Sequence, residues 1–383
     1  MNTYNIHDYG EMLHRGRTEP FAQALRALVT ADSVVLDLGA GPGIMTLLAC
    51  QAGARKVYAV EPDGVIQVAR ETVAANGFAD CVEFIQAFST AVTLPEKVDV
   101  IVWDLRGVLP FYCGSLTSIF DARDRFLKPG GVLIPARDTV WVSVVNAPAA
   151  HRRLVGPWED SFGLEYAAAR RRAVNNWRRW QAAPASLLVT PKVWVTVDYG
   201  SQKNPNAKGS VEWTVDDACE AHGLCVWFDC ETAPGCVLSN APGVDKDSVY
   251  QQAFFPWPEA RQLERGDEIA VEIRADLVGQ DYIWSWHSEI RGPDGVGPLK
   301  ATFHQSQFLS APVSVDWLRK SGASFVPSPN QEASIDKMIL DLLFTGVSLE
   351  EISRRLSDRF PERFPEWQKA LTRVGDMSLR YSQ

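Results

Sequence analysis

Residues 34–43 read Val-Val-Leu-Asp-Leu-Gly-Ala-Gly-Pro-Gly, an apolar run that ends in three glycines at alternate positions and opens into a second apolar stretch at Ile44. No other feature limits the folding of the chain as much. The run is too short for a buried helix and suits a strand covered on both faces. Glycines without Cβ atoms let the backbone turn tightly and approach another group closely. The stretch 44–52 is apolar enough for a packed helix, and Gly53 stands where a C-cap belongs. Further strands are expected at 57–60, 82–85, 98–102 and 132–134, and helices at 65–75 and 120–127, with 128–131 as a turn. This alternation predicts an α/β domain with a mostly parallel, Rossmann-like sheet and helices on both faces.

From about residue 138 the pattern changes. Runs at 139–145, 193–197, 224–228 and 269–273 alternate with period two between Gly, Pro and Asn turns, which predicts an antiparallel, barrel-like domain. The basic stretch 164–180 inside it reads as a helical insertion without strand character. Residues 309–333, rich in Pro and Ser, read as a linker. The tail is helical again, with Ser348-Leu-Glu-Glu351 as a capping box. The expected domains are therefore 1–138, 139–308, a linker at 309–333 and an all-α unit at 334–383.

Charge and composition exclude several classes. Lys and Arg number 38 against 47 Asp and Glu, so the net charge of −9 argues against a dedicated nucleic-acid binder. No apolar run reaches the roughly 20 residues of a membrane helix. The polar, mixed-charge start is no signal peptide, so a cytoplasmic location is expected. Seven cysteines without a C-x-x-C read as free thiols. Cys219, His222, Cys225, Cys230 and Cys236 lie close in sequence but lack paired zinc spacing, and no metal is expected.

The glycine turn reads as a nucleoside-cofactor site because Glu61 ends the next strand, 22 residues after Gly39, where a carboxylate meets ribose hydroxyls. A dinucleotide fingerprint would need a third glycine where Ile44 stands, and no Gly-Lys-Ser/Thr sequence marks a nucleotide triphosphatase. The tighter spacing, with Asp37 upstream and Lys128-Pro-Gly-Gly-Val-Leu-Ile-Pro135 downstream, resembles class I S-adenosylmethionine-dependent methyltransferases.

Gly53-Ala-Arg-Lys-Val57, Tyr112, Ala122-Arg-Asp124 and Trp158-Glu-Asp-Ser-Phe-Gly163 sharpen that likeness. With Glu11-Met-Leu13 and Arg17-Thr-Glu-Pro-Phe21, they resemble the protein arginine methyltransferase family over roughly residues 4–290. The resemblance implies S-adenosyl-L-methionine as cofactor and a lid helix near the N-terminus. Arg17 would hold the cofactor carboxylate, Gly39, Gly41 and Gly43 would line the aminoacyl and ribose parts, Glu61 would take the ribose, and Phe88 and Ser89 would meet the adenine. It also implies a helical arm at 158–180 and a homodimer made through it. His7 and His14, near the lid, are further site candidates.

The resemblance weakens at the acceptor. The family clamps a guanidinium with two glutamates on the loop after the fourth strand, and here their positions hold Asp104 and Cys113. Arg106 adds a cation expected to repel a positive substrate, and the family's Thr-His-Trp loop reads Ser248-Val-Tyr-Gln-Gln252 without histidine. Asp104, Tyr112 and Arg106 are the acceptor-site candidates. The expected activity is methyl transfer to a non-arginine acceptor, a small molecule or peptide, at O or N. The alternatives are a protein arginine N-methyltransferase relying on Asp104 and a non-catalytic adaptor. The tail weakly resembles a small helical peptide-recognition domain, with an accessory or oligomerisation role as the plainer reading.

Overall fold

Helices α1 (Ile6–Glu11) and α2 (Arg15–Leu28) precede strand β1 (Val34–Leu38). Then follow α3 (Ile44–Gln51), β2 (Lys56–Val60), α4 (Ile66–Ala75), β3 (Val82–Ile85), β4 (Val98–Trp103), α5 (Ser115–Phe126) and β5 (Leu127–Ile134). The computed structural model describes residues 5–159, 162–244, 249–293 and 299–381. All five strands are parallel, in the order β3-β2-β1-β4-β5. The chain builds outward from β1 to β3 and then returns to the other side of β1. That reversal opens a crevice beyond the carboxyl ends of β1 and β4, where open α/β sheets bind ligands. Every β1 residue is buried, as the apolar run predicts.

Two boundaries differ from expectation. Helix α5 begins at Ser115, five residues ahead of Phe120, because Leu116 and Ile119 bury against the sheet and override weak local propensity. Lys128-Pro-Gly-Gly131, expected as a turn, lies within β5, which pairs with β4 through a register shift between Val98 and Val100.

The second half is antiparallel. Its strands are β6 (Arg137–Val145), β7 (Arg178–Trp180), β8 (Lys192–Asp198), β9 (Ala207–Thr214), β10 (Cys219–Ala233), β11 (Cys236–Ser239), β12 (Gln252–Leu263), β13 (Glu268–Val278), β14 (Asp281–Arg291) and β15 (Leu299–Ser306). One sheet runs β7-β12-β10-β6-β8, with β11 beside β10, and the other runs β15-β14-β13-β9. Helices α6 (Pro148–Val155), α7 (Ala167–Ala173) and α8 (Gln307–Ser310) decorate them. The arm departs from the expected helical stretch, since Arg178–Trp180 pair with β12. Trp177 stacks on Phe255 and Trp180 packs on Phe254, so buried aromatic area decides the conformation there. Residues 160 and 161 of the arm motif lie outside the described residues, as does Ser248.

Parallel sheet and barrel share one apolar core, in which Phe111 meets Trp194, Tyr282 and Trp284 edge-on. The chain divides into two compact units, Met1–Pro312 and Val313–Gln383. In the second unit the segment read as a linker contains α9 (Val315–Ser321), whose first turn is capped by Ser314. Helices α10 (Gln331–Leu343), α11 (Leu349–Arg359) and α12 (Trp367–Tyr381) bury Ile335, Ile339, Ile352, Leu356 and Val374 together. The Ser348 side chain accepts from the Glu351 N–H at the start of α11, as the capping sequence predicts. Among the described residues no helix is long and apolar enough to cross a membrane, and no three His, Cys, Asp or Glu side chains gather as metal ligands.

Candidate active site

Strand register brings the glycine turn and the acceptor loop together. Leu38 pairs with Val60 on one side and with Trp103 on the other, so Gly39, Glu61 and Asp104 leave the sheet side by side. Gly39 and Gly43 have φ of +77° and +89°, and a Cβ on them would lie 2.3 Å from Leu105 Cδ2 and 2.9 Å from Ala69 Cβ. Positive φ and close approach together require glycine at both positions.

Glu61 Oε2 accepts from the Gly41 N–H at 3.0 Å, and its Oε1 accepts from the Asp63 N–H at 2.9 Å. The residue expected at the ribose therefore also fixes the glycine turn. Burial raises its pKa, opposed by these two hydrogen bonds. Asp37, fully buried, accepts from Thr46 Oγ at 2.6 Å, and burial pushes its pKa up to about 7. Thr46, on α3 nine positions downstream, escapes sequence reading because a helical threonine has many uses. Phe88 is 72% exposed and thus no core ring, while the Ser89 carbonyl accepts from Arg125 Nη2 at 2.7 Å. His14 caps α2 by accepting from the Gly16 N–H, and His7 is exposed beside Glu11.

Arg17 reaches across the crevice from the first turn of α2. Its Nη2 lies 2.6 Å from Asp104 Oδ2, Nε donates to the same oxygen at 2.7 Å and to Tyr250 Oη at 3.0 Å, and Nη1 donates to the Met12 carbonyl at 2.7 Å. The Tyr250 hydroxyl also donates to Asp104 Oδ2. Burial disfavours the Arg17 charge, but Asp104 and Tyr250 more than restore it, and its pKa lies above the usual value. The sequence marked the Tyr250 segment only as altered and lacking histidine. That its hydroxyl reaches a residue 146 positions away is a tertiary fact.

Arg106 does not project toward an acceptor. It is buried between Asp104, at 3.5 Å, and Asp138, at 3.4 Å, with its guanidinium over the Phe228 ring. Asp138 in turn accepts from the Tyr199 hydroxyl at 2.5 Å. The cation expected to repel a positive substrate is compensated inside the fold. Tyr112 folds back over Gly107, where a Cβ would lie 2.7 Å from its ring. Cys113 is exposed with φ +43°.

A parallel five-stranded sheet with a glycine turn after β1 and an acid after β2 is the arrangement of nucleoside-cofactor folds, the class I S-adenosylmethionine-dependent methyltransferases among them. In agreement, the family model of ribosomal protein L11 methyltransferase (PrmA) matches residues 15–135. Protein arginine N-methyltransferase 6 of Danio rerio is 41% identical over 256 residues, covering 63% of this chain and 72% of that protein. A probable protein arginine N-methyltransferase 6 of Arabidopsis thaliana is 30% identical over 262 residues, covering 66% of this chain, which spans 60% of that relative's length. The chain belongs to the protein arginine N-methyltransferase family. Two solved structures share the fold at 22% identity, each covering 79% of this chain and 97% of its own. They are the Trypanosoma brucei PRMT1 enzyme-prozyme heterotetrameric complex with AdoHcy (TM-score 0.72) and the open Arabidopsis thaliana protein arginine methyltransferase 10 (TM-score 0.70).

Proposed function

We propose that the chain N-methylates arginine in a protein or peptide, using S-adenosylmethionine and an acceptor site built around Asp104. The observation that carries this reading is the shared Arg17, which links the lid side of the cofactor crevice to the Asp104 carboxylate. The names of the relatives point to the same acceptor. The expectation of a non-arginine acceptor leaned partly on Arg106, and the burial of that residue against Asp138 removes this argument.

The residues present fit the cofactor. The glycine turn offers a cradle that Cβ atoms would fill, Glu61 offers a carboxylate, Phe88 an exposed ring and Arg17 a fork-shaped donor. The bound cofactor supplies a sulfonium-activated methyl group, so the protein contributes mainly positioning. Arg17 would bind the cofactor carboxylate and loosen its hold on Asp104. Since Asp138 shares the charge of Arg106, Asp104 then keeps net negative charge for a cationic acceptor. Asp104 would accept a hydrogen bond from the acceptor N–H and aim its lone pair, while Tyr250 holds the carboxylate in place.

A second reading, a non-arginine acceptor, is favoured by Cys113 at the second clamp position and by the three donors already on Asp104 Oδ2. Incubation with methyl-labelled cofactor and a cell extract, followed by size separation and hydrolysis, decides between them. Methylarginine from the protein fraction supports the first reading, and label confined to small metabolites the second. Unlabelled extract with normal cofactor binding would favour the non-catalytic adaptor.

The arm supports a homodimer. Phe162 and Leu164 are 97% and 60% exposed, and a groove of about 510 Å³ lies among Ile6, Leu13, Leu47, Leu48 and Val68 on the cofactor domain. One protomer's arm would cover the other's groove in a two-fold pair.

A further inference from the structure

We propose that Asp281, the first residue of β14, supplies the second carboxylate of the acceptor site, which the acceptor loop itself lacks at Cys113. This rests on the arginine reading above.

Three contacts bring Asp281 to the position where the loop should carry an acid. Strands β13 and β14 close in a tight hairpin in which Val278 pairs with Asp281 across Gly279 and Gln280. The acceptor loop docks on this hairpin. Phe111 inserts edge-on against Tyr282 at 5.5 Å and Trp284 at 5.7 Å between ring centroids. The backbone at Gly114 rests on the hairpin turn so closely that a Cβ there would lie 2.9 Å from Gln280 Oε1. Between these anchors sits Cys113, held at φ +43°, a conformation that side-chain-bearing residues adopt at a cost. Its thiol contacts the Asp281 carboxylate.

The chemistry follows from that placement. Cys113 and Asp281 are both exposed, and no lysine, arginine or histidine among the described residues pairs with Asp281. A carboxylate that no cation among the described residues pairs with thus stands beside the residue that replaces an acid, while Asp104 lies buried. A guanidinium presents N–H donors along two edges, so one edge can face Asp104 and the other Asp281. The clamp is divided between the sheet domain and the barrel instead of being carried on one loop. The thiol reports the same proximity: burial first, and then the Asp281 carboxylate, hold Cys113 above its ordinary pKa, with Tyr112 opposing.

The test uses the full chain, labelled S-adenosylmethionine and two synthetic peptides, one with arginines among glycines and one with lysine at each arginine. Asp281→Asn should raise KM for the arginine peptide about tenfold or more, as loss of a hydrogen bond to a charged group does. Its kcat should stay within about threefold, and S-adenosylhomocysteine affinity by calorimetry should not change. Adding Cys113→Glu to Asp281→Asn should recover the KM by returning the acid to the loop. Alkylation of Cys113 by iodoacetamide, followed peptide by peptide in a mass spectrometer, should quicken in Asp281→Asn at fixed pH. An unchanged KM in Asp281→Asn, beside normal wild-type arginine turnover, overturns the Asp281 assignment alone. An unchanged Cys113 alkylation rate overturns the juxtaposition on which it stands. A wild-type protein that neither binds nor methylates the arginine peptide overturns the arginine reading and this assignment with it.

Discussion

Arg17 and Asp104 lie 87 positions apart in the chain and 2.6 Å apart in the fold. Their contact joins the first turn of α2 to the carboxyl end of β4, the strand end proposed to face the acceptor. Both groups are nearly inaccessible, and the Arg17 charge is kept in spite of its burial because Asp104 and Tyr250 face it.

Asp104→Asn should abolish or strongly reduce methyl transfer. It also leaves a buried cation without its anion, a loss that costs about 3–5 kcal/mol in buried pairs. Chemical denaturation should show that loss. Saturating S-adenosylhomocysteine should recover part of it by giving Arg17 another carboxylate. Wild-type turnover in this variant would move the acceptor site elsewhere.

Glu61→Ala removes the acceptor for the Gly41 and Asp63 N–H groups as well as the carboxylate at the ribose position. Cofactor affinity should fall by about 1–3 kcal/mol, the cost of leaving buried polar groups unpaired. Titration calorimetry reads this directly, and an unaltered affinity would refute the ribose assignment.

Asp37 links stability to pH. Its pKa is raised from 3.8 in the unfolded chain to about 7 in the fold, so the folded state holds the proton more tightly. Its contribution is fully present below the unfolded value and is lost as pH rises toward about 7, levelling above that. Between pH 4 and 7 Asp37→Asn should therefore gain stability relative to wild type. Parallel melting curves for the two proteins across that range would refute the assignment.

Gly43→Ala should destabilise the cofactor domain. A left-handed residue with a Cβ costs roughly 1–2 kcal/mol, and here the added atom also meets Ala69 Cβ at 2.9 Å. The melting temperature should drop, and cofactor binding should weaken because the turn must shift.

Phe162→Asp should yield a monomer if the arm makes the dimer. Sedimentation velocity on both proteins would show it, and an unchanged oligomer would place the interface on another surface. Since Phe162 is 97% exposed in the single chain, monomer stability should barely change.

Local features were legible from residue order. The strand at 34–38, the glycine turn and Glu61 are separated by a few residues or one helix, and their geometry follows from backbone sterics and strand length. The capping serine of α11 was legible for the same reason. Tertiary structure alone decided what the charged residues do. Arg106 reads from sequence as a cation facing a substrate, yet the fold seats it against Asp138 and Phe228. Tyr250 meets Arg17 across 233 positions, and Arg178–Trp180 leave the expected helix to pair with β12. A side chain's identity states which partners it can accept. Which partner it meets is fixed by long-range packing, because burying a charge or an aromatic ring costs or gains more than any local preference.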